Sequence, residues 1–211
     1  MPAAPWPRMR RDLVAILRGV KPEEAHDVVM ALVDAGLEAI EIPLNSPDPF
    51  RSIETAVKAA GEHCLIGAGT VLTAEDTDRL AEVGGRLFVS PNVEAEVIAR
   101  AARHGMVVMP GVFTPTEALA ALNAGASGLK FFPASVLGPS GISAIRAVLP
   151  PGTVIAAVGG VGEENFADYA KAGIRAFGLG SSLYKPGASS KDTAQRARFT
   201  LAAYDRAFDA V

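Results

Sequence analysis

The 211-residue chain is predicted to fold as a single (β/α)8 barrel, an α/β architecture of parallel strands inside a ring of helices. The first observation is a regular alternation, in which eight short apolar runs alternate with eight amphipathic segments and no long linker interrupts them. The second is composition, since 49% of residues are hydrophobic and only 6% aromatic, which suits close packing of helices on a parallel sheet. We expect one domain over residues 1–211, with residues 1–12 as a short N-terminal lead-in.

The elements follow in order along the chain. The apolar runs predict strands at 14–18, 39–44, 65–71, 87–91, 107–112, 128–133, 154–161 and 176–183. The segments between them predict helices near 23–35, 49–60, 74–83, 94–103, 115–123, 141–148, 163–171 and 189–208. Thr73 and Thr114 precede early acids, as helix N-caps do. Glycines that end helices in the left-handed conformation are expected at Gly36, Gly84, Gly105, Gly125 and Gly173.

A doubly wound open sheet is the alternative fold. It requires a glycine-rich phosphate fingerprint after the first strand, and the turn Arg18–Pro22 does not match one. Gly67–Gly69 and Gly178–Gly180 also lack the third glycine and the downstream acid. The barrel is therefore favoured.

Bulk properties exclude several partners. The net charge of −3 comes without a basic stripe, so no nucleic acid is expected. No run approaches the roughly 20 apolar residues of a membrane span. The single cysteine, Cys64, permits no internal disulfide. Together these two observations suggest a cytoplasmic protein. The three histidines lack metal-ligand spacing, and we expect neither a metal nor a cofactor.

Lys130 is the most informative residue, because it lies in the middle of the apolar run 127–133. A buried ammonium costs several kcal/mol unless it is paired or deprotonated. Burial lowers the pKa and frees a neutral amine, a nucleophile toward carbonyl groups. Strand alternation places Lys130 and Phe132 on the inward face and Leu129 and Phe131 toward the helices.

Glu41 is expected inside the barrel as well. Ile40, Ile42 and Leu44 form the apolar face of the second strand, which turns Glu41 and Asn45 inward. One interpretation is a structural ion pair with Lys130. The other is a proton shuttle beside a nucleophilic amine.

Two further strand ends carry polar groups. Arg18 lies two and four residues after Ile16 and Val14, so alternation along the strand turns all three side chains toward the barrel interior. Arg18 either binds a carboxylate in bidentate fashion or forms a surface salt bridge. Thr70 ends the third strand and is able to donate to a substrate oxygen.

Glycine clusters end the last two strands, and loops at these positions often bind phosphate in barrels. The other explanation for these glycines is that the turns themselves require them, without any ligand. The favoured interpretation is a phosphorylated ligand at the two clusters, residues 158–161 and 178–182.

With these residues in view, the chain resembles the class I (Schiff-base) aldolases of 2-keto-3-deoxy-6-phospho sugar acids over nearly its whole length. The resemblance is carried by Glu41–Pro47, Ile66–Val71, Ser90–Asn92, Leu129–Pro133, Ala157–Val161 and Gly178–Ser181. Asn45 and Val158 stand where the gluconate-selective branch usually has arginine and threonine, so these two positions resemble the galactonate-selective branch. The gluconate epimer remains the alternative substrate.

The resemblance implies cleavage of 2-dehydro-3-deoxy-6-phospho-D-galactonate to pyruvate and D-glyceraldehyde 3-phosphate by a cofactor-free homotrimer. Lys130 would form the imine and Glu41 would move protons. The remaining roles it implies are carboxylate binding by Arg18 and Thr70 and shielding of the imine by Phe132. It also implies phosphate binding by backbone groups of Gly159, Gly160, Gly180 and Ser181. Two rivals stay open: a phosphosugar isomerase or cyclase that uses Lys130 only as a charge, and a non-catalytic sensor of phosphorylated sugar acids.

Overall fold

The computed structural model describes residues 3–209 and contains one parallel sheet that curls into a barrel with helices outside it. The strands are β1 (Leu13–Ile16), β2 (Ala39–Pro43), β3 (Leu65–Gly69), β4 (Leu87–Val89), β5 (Val107–Met109), β6 (Gly111–Val112), β7 (Leu129–Phe131), β8 (Ile155–Val158) and β9 (Ala176–Leu179). The helices are α1 (Pro22–Ala35), α2 (Pro49–Ala60), α3 (Ala74–Glu82), α4 (Ala95–Arg103), α5 (Pro115–Ala124), α6 (Ala134–Arg146), α7 (Phe166–Lys171) and α8 (Ser190–Asp209).

The sheet has nine strands because the predicted fifth strand is divided. Its order is β5-β4-β3-β2-β1-β9-β8-β7-β6, and β5 and β6 flank Pro110. Proline has no N–H for the strand ladder, while its carbonyl still accepts a hydrogen bond from the Lys130 backbone N–H at 2.9 Å. The two sheet edges are thus consecutive in the chain, and the predicted (β/α)8 barrel is confirmed.

Most helix boundaries fall within a few residues of prediction, and α6 is the main difference. It begins at Ala134, directly after β7, and it is broken at Gly138, which has φ 65° and ψ 171° and precedes Pro139. The prediction placed this helix at 141–148 and missed residues 134–140, because the Gly-Pro pair interrupts the helical pattern. The expected caps are present: Thr73 and Thr114 accept from Asp76 and Glu117, and the five helix-ending glycines have φ between 70° and 108°.

Apolar side chains divide into two clusters on the two faces of the sheet. The larger cluster lies between strands and helices and includes Ile40, Ile42, Leu129 and Phe131, as the strand alternation predicts. The smaller cluster fills the barrel interior and contains Val14, Ala39, Leu87, Val89, Val107, Met109, Ala156, Val158 and Ala176.

The N-terminal lead-in packs against one end of the barrel. Ala4 donates from its N–H to the Met106 carbonyl at 3.0 Å and accepts from the Ser127 hydroxyl. Trp6 and Met9 pack against the interior cluster. Because Met106 and Ser127 precede β5 and β7, the lead-in covers the N-terminal ends of the strands and leaves the opposite end open.

Across residues 3–209, no helix combines the length and the apolar character that crossing a bilayer requires.

Candidate active site

The C-terminal ends of the strands surround a cavity of about 820 Å³, the usual position of a site in this architecture. Its wall includes every residue predicted for the site except Asn45. These residues are Arg18, Glu41, Thr70, Lys130, Phe132, Val158, Gly159, Gly160, Gly180 and Ser181.

Lys130 points into this cavity from the middle of β7. Its neighbours Leu129 and Phe131 are fully buried against the helices, and Lys130 itself is 7% exposed. Burial lowers the pKa of its amine from 10.5 to about 8, and the charge of Arg18 acts in the same direction. The Nζ lies 5.2 Å from the centre of the Phe132 ring, within cation–π range. A fraction of the amine is therefore neutral and nucleophilic near neutral pH.

Glu41 enters the same cavity from β2 and is 3% exposed. Its Oε2 atom is buried and has no hydrogen-bond partner among the described residues. Burial raises the pKa of this carboxyl from 4.5 to about 7, against the opposing charges of Lys130 and Arg18. A carboxyl with this pKa is suited to both taking and giving a proton near neutral pH.

Glu41 and Lys130 do not form the direct ion pair that was one interpretation of the sequence. Among residues 3–209, the ion pairs within 4.0 Å do not include these two side chains. Each nevertheless perturbs the pKa of the other through its charge. The geometry leaves both groups free to meet a third molecule in the cavity.

Arg18 follows β1 at the rim of the cavity and is exposed. Its Nη1 donates to the Asn45 Oδ1 at 2.6 Å, and within the described chain it forms no ion pair with an acid. The remaining guanidinium donors match a carboxylate or another planar anion. Asn45, predicted to face inward, instead lies outside the cavity wall and holds the guanidinium.

Thr70 follows β3 and has φ 56°. A β-branched residue in the left-handed region is an outlier that costs about 1–3 kcal/mol and persists where the surroundings enforce it. Such strain concentrates at functional sites, and Thr70 lines the cavity.

The glycine clusters after β8 and β9 also line the cavity. Gly159 and Gly160 have φ of 90° and 76°, and a Cβ on Gly160 would lie 2.6 Å from the Ser135 Cβ. Only glycine fits this turn, which brings backbone close to any ligand beside Gly180 and Ser181. Backbone groups in such turns are well placed for a phosphate.

Sequence reasoning missed part of this cavity. Asn165 lines it and clamps the loop after β8, since its side chain bonds the Gly162 N–H at 3.1 Å and the Gly160 carbonyl at 2.9 Å. Lys185 and Arg196 add two cations to the wall. Asn165 could have been found from its place beside the predicted turn, but Arg196 comes from α8 and no local pattern marks it.

The described residues contain no cluster of three or more His, Cys, Asp or Glu side chains that could hold a metal ion. Cys64 is 2% exposed, and burial raises the pKa of its thiol to about 12. It lies outside the cavity wall and is protonated at neutral pH.

Comparisons with known proteins identify relatives of the whole chain. A family model described as KDPG and KHG aldolase matches residues 8–198. A protein of Rhizobium meliloti (strain 1021), named probable 2-dehydro-3-deoxy-6-phosphogalactonate aldolase, is 73% identical over 208 residues, 99% of this chain and 98% of that protein. The 2-dehydro-3-deoxy-6-phosphogalactonate aldolase of Escherichia coli (strain K12) is 52% identical over 195 residues, 92% of this chain and 95% of that protein.

A solved structure described as native KDPGal superposes with a TM-score of 0.94 at 50% identity, covering 97% of this chain and 99% of that one. The resemblance drawn from the sequence motifs is confirmed, and the chain belongs to the KDPG and KHG aldolase family of lyases.

Proposed function

We propose that this protein cleaves 2-dehydro-3-deoxy-6-phospho-D-galactonate to pyruvate and D-glyceraldehyde 3-phosphate through a Schiff base on Lys130. One observation carries the proposal. A buried lysine of lowered pKa and a buried carboxyl without a hydrogen-bond partner at Oε2 face one cavity without a direct ion pair. Covalent catalysis at a ketone requires both a neutral amine and a nearby group that moves protons.

The reaction begins when the neutral Lys130 amine attacks the C2 ketone to form a carbinolamine. Loss of water, with a proton supplied by Glu41, gives an iminium ion. The Glu41 carboxylate then takes the C4 hydroxyl proton, the C3–C4 bond breaks, and its electron pair moves toward the iminium. The aldehyde leaves, the resulting enamine is protonated at C3, and hydrolysis frees pyruvate and the amine.

The two ends of the substrate have separate partners in this proposal. Arg18 and Thr70 bind the C1 carboxylate, since a guanidinium matches carboxylate geometry. The phosphate lies against the part of the cavity wall that Gly159, Gly160, Gly180 and Ser181 form. Phe132 covers the imine and limits the access of water.

The galactonate epimer is preferred to the gluconate epimer on two grounds. The relatives at 73% and 52% identity carry the galactonate name. Val158 also places a methyl-bearing, apolar side chain on the cavity wall, where it offers no hydrogen bond to a substrate hydroxyl. We assign Val158 to the recognition of C4 stereochemistry, and Asn45 to the same selection through its contact with Arg18.

We further propose that residues 1–211 act as one domain within a cytoplasmic homotrimer. The three most exposed large apolar side chains of the described residues are Val136, Val148 and Phe199, at 69%, 60% and 59%, and a subunit interface would remove such side chains from water. Light scattering of the purified protein should give three times the mass of one chain, and the mass of a single chain would refute the trimer.

The decisive experiment is borohydride reduction in the presence of pyruvate, followed by intact-mass measurement and peptide mapping. A pyruvyl adduct on Lys130 supports the mechanism, and an unmodified protein that still binds sugar phosphate would refute it in favour of a non-covalent isomerase. Steady-state kinetics on both epimers then test the substrate. A higher kcat/KM for the gluconate compound would overturn the galactonate assignment.

A further inference from the structure

Gly69, the last residue of β3, lies directly against the Glu41 carboxyl. A Cβ built on Gly69 would come closer than 3.0 Å to Oε1, Oε2 and Cδ of Glu41, a separation that real Cβ atoms essentially never show. Gly180, which lines the cavity, has nothing within 4 Å of its Cβ position. The missing side chain at position 69 is therefore the space that the carboxyl group occupies.

The backbone around Gly69 is held in place. In the parallel pairing of β2 with β3, Glu41 lies opposite Gly67 and Pro43 opposite Gly69. The Gly69 carbonyl accepts a hydrogen bond from the Leu44 N–H at 2.8 Å. A methyl group at position 69 has little freedom to withdraw, so the carboxyl group would have to move.

No hydrogen bond anchors the Glu41 Oε2 atom among the described residues. A carboxylate at the end of a flexible side chain ordinarily takes its position from such bonds. Here the surrounding packing has that role, and the surface of Gly69 is one wall of the space.

We propose that Gly69 is a positioning residue, whose lack of a side chain holds the Glu41 carboxyl at the place from which it exchanges protons with the substrate. This inference rests on the proposed function, because it assigns Gly69 to the proton transfers of the aldol cleavage. Gly69 acts through Glu41, since Gly69 itself is not among the residues that line the cavity.

The consequence is a loss of rate without a matching loss of binding. Displacement of a reacting group by about 1 Å costs on the order of 10² in rate. Gly69→Ala should therefore lower kcat by roughly that factor and leave KM within about threefold. Displacement toward the open cavity would also rehydrate the carboxyl and lower its pKa, which moves the acid limb of kcat to lower pH.

The test is a double-mutant cycle with Glu41→Asp, whose side chain is one methylene shorter and makes room for the added methyl group. We expect Gly69→Ala to cost roughly 10² in kcat beside Glu41 and less than about threefold beside Asp at position 41. An equal cost in both backgrounds, or an unchanged kcat in Gly69→Ala, would overturn the inference.

Folding is checked by thermal unfolding of all four proteins. If Gly69→Ala fails to fold and the double variant folds, the methyl group conflicts with the carboxyl as proposed. If both fail, the conflict lies elsewhere and the inference is wrong. The wild-type protein distinguishes failure of the proposed function from failure of this inference. If the wild type does not cleave the sugar acid, the proposed function is wrong. If the wild type cleaves it and the effects of the two substitutions on kcat are additive, only the role of Gly69 is wrong.

Discussion

Glu41 and Lys130 shift each other's pKa across the barrel interior without a direct ion pair between them. Burial moves the two values toward each other, to about 7 for the carboxyl and about 8 for the amine. Their ordinary values are 4.5 and 10.5, at which neither group would exchange protons readily near neutral pH. The site therefore holds an acid–base pair and a nucleophile in the same pH range.

The rate of pyruvate trapping should follow the protonation of Lys130. Because the pKa of its amine is lowered to about 8, the neutral fraction should rise about tenfold per pH unit below 8 and level off above it. The measurement is the initial rate of borohydride-dependent inactivation by pyruvate between pH 6 and 10. Lys130→Arg keeps the charge but should give no adduct, and a midpoint near 10.5 would show that the amine is not perturbed.

Glu41→Gln should lower kcat by roughly 10²–10⁴, the usual contribution of a general acid–base group. The amide keeps the shape of the side chain, so the variant should fold and bind pyruvate. Loss of the negative charge, which raises the pKa of Lys130, should also move the midpoint of pyruvate trapping to lower pH. A near-normal kcat would contradict the proton-transfer role.

The same variant should reveal the cost of burying the carboxylate. The folded pKa of Glu41, about 7, exceeds its ordinary 4.5, so the folded state binds more protons between these values and its stability falls as pH rises through them. From pH 5 to pH 8, the unfolding free energy of Glu41→Gln should improve relative to wild type by about 2–3 kcal/mol. Urea unfolding of both proteins at pH 5 and pH 8 measures this change. A difference in unfolding free energy that does not depend on pH would contradict the burial argument.

Arg18→Ala should raise KM for the sugar acid by roughly 10–100-fold with a smaller change in kcat, because a charged hydrogen bond contributes about 1.5–3 kcal/mol. Asn45→Ala is the matched control, since it removes only the 2.6 Å contact that holds the guanidinium and should raise KM by less. Steady-state kinetics at fixed pH compare the two. An unchanged KM in Arg18→Ala would place the carboxylate site elsewhere in the cavity.

Val158→Thr should shift the ratio of kcat/KM values toward the gluconate epimer, by about 2–13-fold for one new hydrogen bond. The hydroxyl is nearly the same size as the methyl group that it replaces, so the barrel interior should accept it. Paired assays on both epimers give the ratio. An unchanged ratio would remove Val158 from the recognition of the C4 hydroxyl.

Local sequence patterns determined the barrel, the caps of its helices and the inward direction of Glu41 and Lys130. Alternation along a strand depends only on backbone geometry, and the capping signals depend on a few neighbouring residues. A lysine inside an apolar run also indicates an unusual site from local sequence alone, because burying its charge costs free energy whatever the strand packs against.

Tertiary structure alone decided which distant groups meet. The overlap of the Glu41 carboxyl with the Cβ position of Gly69 depends on the stagger of β2 against β3, and the place of Arg196 depends on how α8 returns to the cavity. Asn45 shared the inward parity of Glu41 but lies beyond the end of β2, where alternation no longer applies. Side-chain direction is a local property of the chain, whereas distances between strands arise only when the whole sheet closes.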